Sequence, residues 1–328
     1  MNHSSPQSGP QADPRSSSSA GLPDASEPAQ LAAVPASEEV RRTERAGGSR
    51  ARLTSVGLVI GGIVSLQFGS SVAVLLFPRA GALGVVTLRL VVAALVLLVA
   101  CRPKLRGYSR GDWATVVGFG IALAGMNSLF YQAIDRIPLG AAVTLEFLGP
   151  LVLSIVTSRR ALSLVWAALA LGGVALLGRE GFDGLNAAGA GFALAAGALW
   201  AAYILLSARA GQRFPQADGL ALAMTVAAVL SLPLGVASAG SALIDPVTLG
   251  LGAAVALMSS VLPYTLELLA LRRLPASGFA VMMSLEPAAA ATAGFLVLHQ
   301  ALGWAEIAAI AMVVLASVGA VRSAGSAH

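Results

Sequence analysis

The chain has 328 residues, of which 56% are hydrophobic and only 11% charged, with a net charge of +5 and a mean hydropathy of +0.79. A soluble domain carries about a quarter of its residues as charge, so a water-soluble globule is excluded and a lipid bilayer is the expected solvent. The positive excess sits in turns between apolar segments, which removes the case for nucleic acid, and a single cysteine, Cys101, excludes an intramolecular disulfide or a cysteine-rich metal site.

Residues 1–50 come first and run against the apolar trend. MNHSSPQSGPQADPRSSSSAGLPDASEPAQ is rich in Ser, Pro and Gly and too polar to bury a core, so a disordered cytoplasmic tail is expected. It has no short apolar stretch ending in a small-residue cleavage site, as a secretory signal would. Crossing ~30 Å of hydrocarbon takes about 20 mostly apolar residues in a helix. Ten segments come close to that: 53–76, 82–101, 112–134, 138–156, 161–178, 187–207, 217–238, 247–270, 275–298 and 303–322.

Polar residues inside these segments are the candidates for function. The first segment carries Gln67, Ser70 and Ser71, and the small-residue pattern Gly57-xxx-Gly61 expected to let helices approach closely. The second carries Arg89 about 10 Å from its start, the one fully intramembrane cation. The third presents Asn127, Tyr131 and Asp135 at i, i+4 and i+8, one polar stripe. The fourth holds Glu146, about 12 Å along, with Pro150 four residues on. The sixth holds Trp200 and Tyr203, near a Gly189-x-Gly191 pair read as a packing feature. The eighth repeats the stripe with Ser260, Tyr264 and Glu267, and the ninth holds Glu286, about 16 Å along, directly before Pro287.

An ionised carboxylate at mid-bilayer costs at least ~2.5 kcal/mol. Glu146 and Glu286 must therefore pair, protonate or face water, and Arg89 is the natural partner for one of them. Proline removes a backbone donor and leaves a carbonyl open, which a membrane tolerates only beside a cavity or a polar neighbour. Each acid next to a weakened turn is thus a candidate ligand site. For Gln67, Ser260, Tyr203 and Asn127, interhelical glue is an equally good reading.

Charge fixes the expected orientation. Sixteen Lys and Arg residues lie at alternate segment ends, in 41–52, 102–110, Arg159-Arg160, Arg209 with Arg213, Arg272-Arg273 and Arg322. The opposite ends hold three: Arg79, Arg136 and Arg179. The positive side is cytoplasmic, so both termini are expected there, which requires an even number of spans.

Residues 129–150 align without a gap on 266–287, matching Leu129/Leu266, Ala133/Ala270, Arg136/Arg273, Pro138/Pro275, Leu148/Leu285 and Pro150/Pro287. The shift corresponds to five helices, an odd number, so the halves point in opposite directions. The expected fold is an all-α membrane protein of ten transmembrane helices built as two inverted five-helix repeats, 53–178 and 187–322. Inverted repeats recur in transporters, with the substrate near the midplane between halves.

MNSLFYQAIDRIPLGAAVTLEFLGP at 126–150, followed by SRR at 158–160, resembles the EamA-type drug/metabolite transporters in their threonine/homoserine exporter branch. SSVLPYTLELLALRRLPASGFAVMMSLEPAAAATAGFLVL at 259–298 reads like the matching second half. The likeness covers 53–322 and is weak in spans five to seven. It implies an inner-membrane exporter of small amino acids such as threonine and homoserine, driven by protons. Members often carry an acidic residue at the end of the ninth span, where this chain has His299-Gln300.

The expected carrier binds a zwitterion, with Glu146 or Glu286 facing the ammonium and Arg89 the carboxylate, while Tyr131, Tyr264, Glu267 and Asn127 complete the site. Burial favours a neutral acid and a nearby cation a charged one, so one glutamate exchanges a proton while the other stays ionised. The partners expected are a small amino acid, protons and lipid, with no nucleic acid, cofactor or metal. An enzyme is not expected: His3, His299 and His328 all lie outside the membrane core, leaving no Ser–His pair or histidine metal site there. Among rivals, nucleotide sugars want several cavity cations where only Arg89 is available, and nothing in the sequence demands a channel's subunit rings. Export of drugs or other small metabolites by the same fold is the alternative.

Overall fold

The computed structural model describes residues 36–158, 161–181, 186–215, 217–271 and 276–325. Of 36–53, 158, 161–163, 177–181, 264, 268, 271, 276–278 and 323–325 it describes the backbone alone. The described residues up to Ala46 belong to one unit and those from Gly47 onward to another. In the first, helical backbone runs from Ala36, inside the stretch assigned to the tail, and residues 1–35 lie outside the described residues.

The described residues form helices and turns without a strand: α1 Ala36–Cys101, α2 Arg110–Ile134, α3 Leu139–Glu146, α4 Leu148–Ser158, α5 Ala161–Gly181, α6 Ala187–Arg213, α7 Asp218–Ala239, α8 Pro246–Ala256, α9 Leu262–Leu271, α10 Ala276–Met283, α11 Glu286–Leu298 and α12 Trp304–Gly325. A 3₁₀ turn, Gly240–Ile244, precedes α8, and a π-turn, Leu257–Val261, joins α8 to α9. Eight stretches are long and apolar enough to cross a membrane, and a shorter apolar one, Leu164–Leu176, lies within α5. Large apolar side chains such as Leu75, Val99 and Leu171 stand exposed around the outside, as expected where lipid is the solvent.

The first of the eight stretches, Thr54–Cys101, is 48 residues long and is not one rod. Pro78 removes a backbone donor, and Gly81 has φ 65° and ψ 164°, a region open in practice only to glycine. Ser65 donates to the Met258 carbonyl at 2.6 Å and Arg89 to the Ser260 hydroxyl at 2.8 Å. A straight helix would hold Ser65 and Arg89 about 36 Å apart, so the chain folds back at Gly81.

In the main apolar core α2 packs on α6 and α7, α12 on α5, and α3 on both α6 and α11. At one end of α2, Ser109 and Asp112 form a capping box, and Asp112 takes a 2.9 Å ion pair from Arg213 of α6. A side chain at Gly57 would meet nothing within 4 Å and one at Gly61 only Leu266. At Gly61 and the neighbouring Gly62 the facing element is α9, whose Pro263 carbonyl lies 3.7 Å from where a Gly62 side chain would begin.

The breaks between helices follow the internal repeat. The shift of 137 residues that aligns the two sequence blocks carries Leu139–Glu146 onto Ala276–Met283 residue for residue, and the end of α2 at Ile134 onto the end of α9 at Leu271. In each block a helix is followed by an eight-residue helix, a break and another helix. In this register Glu146 faces Met283, not Glu286. The acids bracket their breaks differently: Glu146 is the last residue before one, Glu286 the first after the other.

Candidate functional site

Two broken helices, the folded-back α1 and the π-turn enclose a cavity of about 650 Å³, within the usual range for a small-molecule site. Arg89, Glu146, Glu286 and Glu267 all line it, as do Asn127 and Gln67. Trp200 and Tyr203 of α6 form part of the wall, Trp200 edge-on to Phe147 with ring centres 5.4 Å apart. From the buried acids the cavity extends along α4, α9 and α12 to Thr157, Glu267 and Val321. At the other end of the acids α3 meets α11: Gly140 lies against Ala291, and the Leu139 amide donates to Gln300 Oε1 at 3.0 Å.

Proline chemistry builds the polar parts. In an α-helix the amide of residue i bonds the carbonyl of i−4, so Pro150 cannot serve Glu146, Pro263 cannot serve Ser259 and Pro287 cannot serve Met283. At the first, the open carbonyl of Glu146 faces Gly197 of α6, where a side chain would collide with it. A side chain at Gly149 would likewise enter the Gly197 carbonyl. At the second, the Ser259 carbonyl is taken by Arg89, whose Nη2 donates to it at 2.9 Å. At the third, Ser284 and Leu285 form the break, and Ser284 shares a 2.7 Å hydrogen bond with Ser317 of α12 on the cavity wall.

Arg89 is 5% exposed. Nε donates to Ser260, Nη1 to the Tyr131 hydroxyl at 3.2 Å, and the guanidinium lies 5.5 Å from the centre of the Tyr131 ring. Its charge and that of Glu146 act on each other, while Glu286 lies in the field of both Glu146 and Glu267. Glu146 is 8% exposed and Glu286 3%. Among the described residues, Glu286 Oε1 and Gln67 Oε1 are buried with no hydrogen-bond partner. Such a group costs roughly 1–3 kcal/mol, and its retention calls for a use.

The residues singled out in the sequence separate into three sets. Arg89, Glu146, Glu286, Glu267, Asn127, Gln67, Trp200 and Tyr203 meet at the cavity, although Asn127 also gives its amide to the Leu123 carbonyl. Tyr131, fully buried, and Ser260 stand behind Arg89. The side chain of Tyr264 lies outside the described residues, and Asp135 is exposed at the end of α2 beside Arg136. Sequence reasoning passes over Ser259, Ser65, Gly197, Gly149, Ser284 and Ser317. Pro263 is the available signal for Ser259. For Gly197 and Gly149 there is none, because the contact joins residues distant in the chain.

Residues 187–322 match the EamA-like transporter family. The threonine/homoserine exporter RhtA of Salmonella typhimurium strain LT2 is 41% identical over 257 residues, covering 78% of this chain and 87% of that protein. The threonine/homoserine exporter RhtA of Escherichia coli strain K12 is 40% identical over 259 residues, covering 78% and 88%. A solved structure described only as "Crystal structure of protein" superposes on 82% of this chain and 98% of its own with a TM-score of 0.53 at 20% identity, a likeness of fold alone.

Proposed function

Because the chain belongs to the EamA-like transporter family, we propose that it exports small amino acids of the threonine/homoserine type across the bacterial cytoplasmic membrane, by proton antiport with alternating access. The observation that carries this reading is the cavity itself: a buried cation, Arg89, and the buried acids Glu146 and Glu286, each beside a helix break, line the same space. A zwitterion has a charge for each. Arg89 takes the carboxylate, Glu146 or Glu286 the ammonium, and the glutamate not so engaged carries the proton.

The topology of the reading has ten spans in two inverted repeats, with both termini cytoplasmic. Eight long apolar stretches, the reversal at Gly81 and the shorter apolar stretch in α5 support that number. The matched breaks of α3 and α10 support the duplication, and the positive-charge bias supports the orientation. The protein acts on its cargo by carrying it, not by covalent chemistry, as the relatives' description as exporters suggests.

The test loads vesicles containing the protein with labelled threonine, homoserine or other amino acids and follows efflux with and without a proton gradient. Glu146→Gln and Glu286→Gln, made separately, abolish gradient-driven efflux in at least one case. Two fully active variants rule the proposal out. Efflux of lipophilic cations in place of amino acids would instead favour drug or metabolite export, for which Trp200 and Phe147 supply an aromatic wall.

A further inference from the structure

An arginine on a long flexible stem recognises a carboxylate well only if its planar fork is held still. Arg89 is held from three directions by groups on two other helices. The π-turn gives it the Ser260 hydroxyl at Nε and the Ser259 carbonyl at Nη2. The turn is itself fixed: Ser65 donates to the Met258 carbonyl, and Ser259 to the Val255 carbonyl at 2.7 Å. From α2, Tyr131 offers its hydroxyl to Nη1 and its ring face to the guanidinium.

Two features mark this as a built support and not incidental packing. Pro263 has no N–H, so it serves neither Met258, its acceptor in the register of the π-turn, nor Ser259, its acceptor in an α-helix; Ser65 donates to the first carbonyl and Arg89 to the second. The π-turn, where Leu262 N–H bonds the Leu257 carbonyl, is a rare geometry found most often at functional sites. Tyr131 is in turn locked by Phe77 and Phe130, with ring centres at 5.8 and 6.0 Å. It is fully buried and cannot touch a molecule in the cavity.

We propose that Tyr131, Ser260 and the π-turn kept open by Pro263 are positioning groups that aim Arg89 at the carboxylate of the cargo. This assigns Tyr131 a role other than cargo contact, and it rests on the reading of Arg89 given under Proposed function. Their effect is transmitted only through Arg89. Tyr131→Phe keeps the ring but removes the hydroxyl. Pro263→Ala restores a backbone donor that competes for the Met258 and Ser259 carbonyls, which now hold Ser65 and Arg89.

The test measures binding of labelled L-threonine to the purified full-length protein, displaced by unlabelled L-threonine or by L-threoninamide, which replaces the carboxylate with a neutral amide. The ratio of the two affinities reports carboxylate recognition and is insensitive to a general loss of active protein. Tyr131→Phe and Pro263→Ala each lower that ratio roughly tenfold, the loss expected from one misplaced charge-assisted hydrogen bond. Neither lowers it further in an Arg89→Gln background. If Arg89→Gln alone leaves the ratio unchanged, or wild-type protein binds no threonine, the underlying reading of the site fails. If Arg89→Gln abolishes the preference but both single variants keep the wild-type ratio, or if their effects persist without Arg89, the positioning role is wrong. Should Tyr131→Phe not fold, Ser260→Ala gives the same readout from the π-turn.

Discussion

Gly197 stands on α6 where any side chain would enter the open carbonyl of Glu146. The buried acid, the proline that frees its carbonyl and the glycine that lets the neighbouring helix approach form one unit. Overpacking such a contact costs typically 1–3 kcal/mol. Gly197→Ala is therefore expected to lower the melting temperature by several degrees and to reduce efflux. Gly191→Ala on the same helix, where an added Cβ meets nothing within 4 Å, leaves both unchanged. Thermal unfolding of the purified variants, followed by efflux assay, checks the pair; equal behaviour of the two would detach Gly197 from the site. Arg89, Glu146 and Glu286 are legible in the sequence because a charge in hydrocarbon is too costly to be there by accident. Gly197 is not legible, since a glycine among thirty-six gains its meaning only from a carbonyl 51 positions away.

At the level of the helix, the short α3 has a problem at its start. Its first amides have no partner inside the helix, and its N-cap, Pro138, supplies no side-chain acceptor. Gln300, just beyond the end of α11, fills one vacancy by accepting the Leu139 N–H. The chain reaches that position through His299, in the left-handed region at φ 53°. One broken helix thereby fastens the other at the end opposite the cavity's extension toward Thr157. A neutral amide is the acceptor here. Removing it with Gln300→Leu forfeits one hydrogen bond, a net ~0.5–1.5 kcal/mol, which moves a two-state equilibrium several-fold. The expected outcome is a several-fold faster reaction of a cysteine placed at Ala142, in a Cys101→Ser background, with a water-soluble thiol reagent applied from the α3–α11 side. An unchanged rate would mean that Gln300 caps α3 without restraining it. Most helix limits were legible, because apolar length and proline position act locally. The Leu139–Gln300 link was not, because neither residue alone departs from what a helix end tolerates.

Over the whole molecule the charge bias and the cavity point the same way. Thr157, Glu267 and Val321, at the far reach of the cavity, lie within a few residues of Arg159-Arg160, Arg272-Arg273 and Arg322, the groups that the positive-inside rule places in the cytoplasm. The α3–α11 contact lies toward the turn carrying Arg136, at the sparsely charged end. With the orientation proposed above, the cavity reaches toward the cytoplasmic side, from which an exporter loads. The sequence offers a proposal for orientation and span number because both depend on sums over many residues. It does not carry the direction in which the cavity extends, which depends on contacts between distant segments such as Leu139 and Gln300. In a Cys101→Ser background, cysteines introduced at Thr157 and Val321 should react with an impermeant thiol reagent supplied at the cytoplasmic face of inside-out vesicles. Saturating threonine should slow both reactions by blocking the path or shifting the protein to its other state. A cysteine at Asp135 should react only from the opposite face, in right-side-out vesicles. Labelling of position 157 from the external face, or of 135 from the cytoplasmic one, would reverse the orientation and with it the direction in which the cavity is filled.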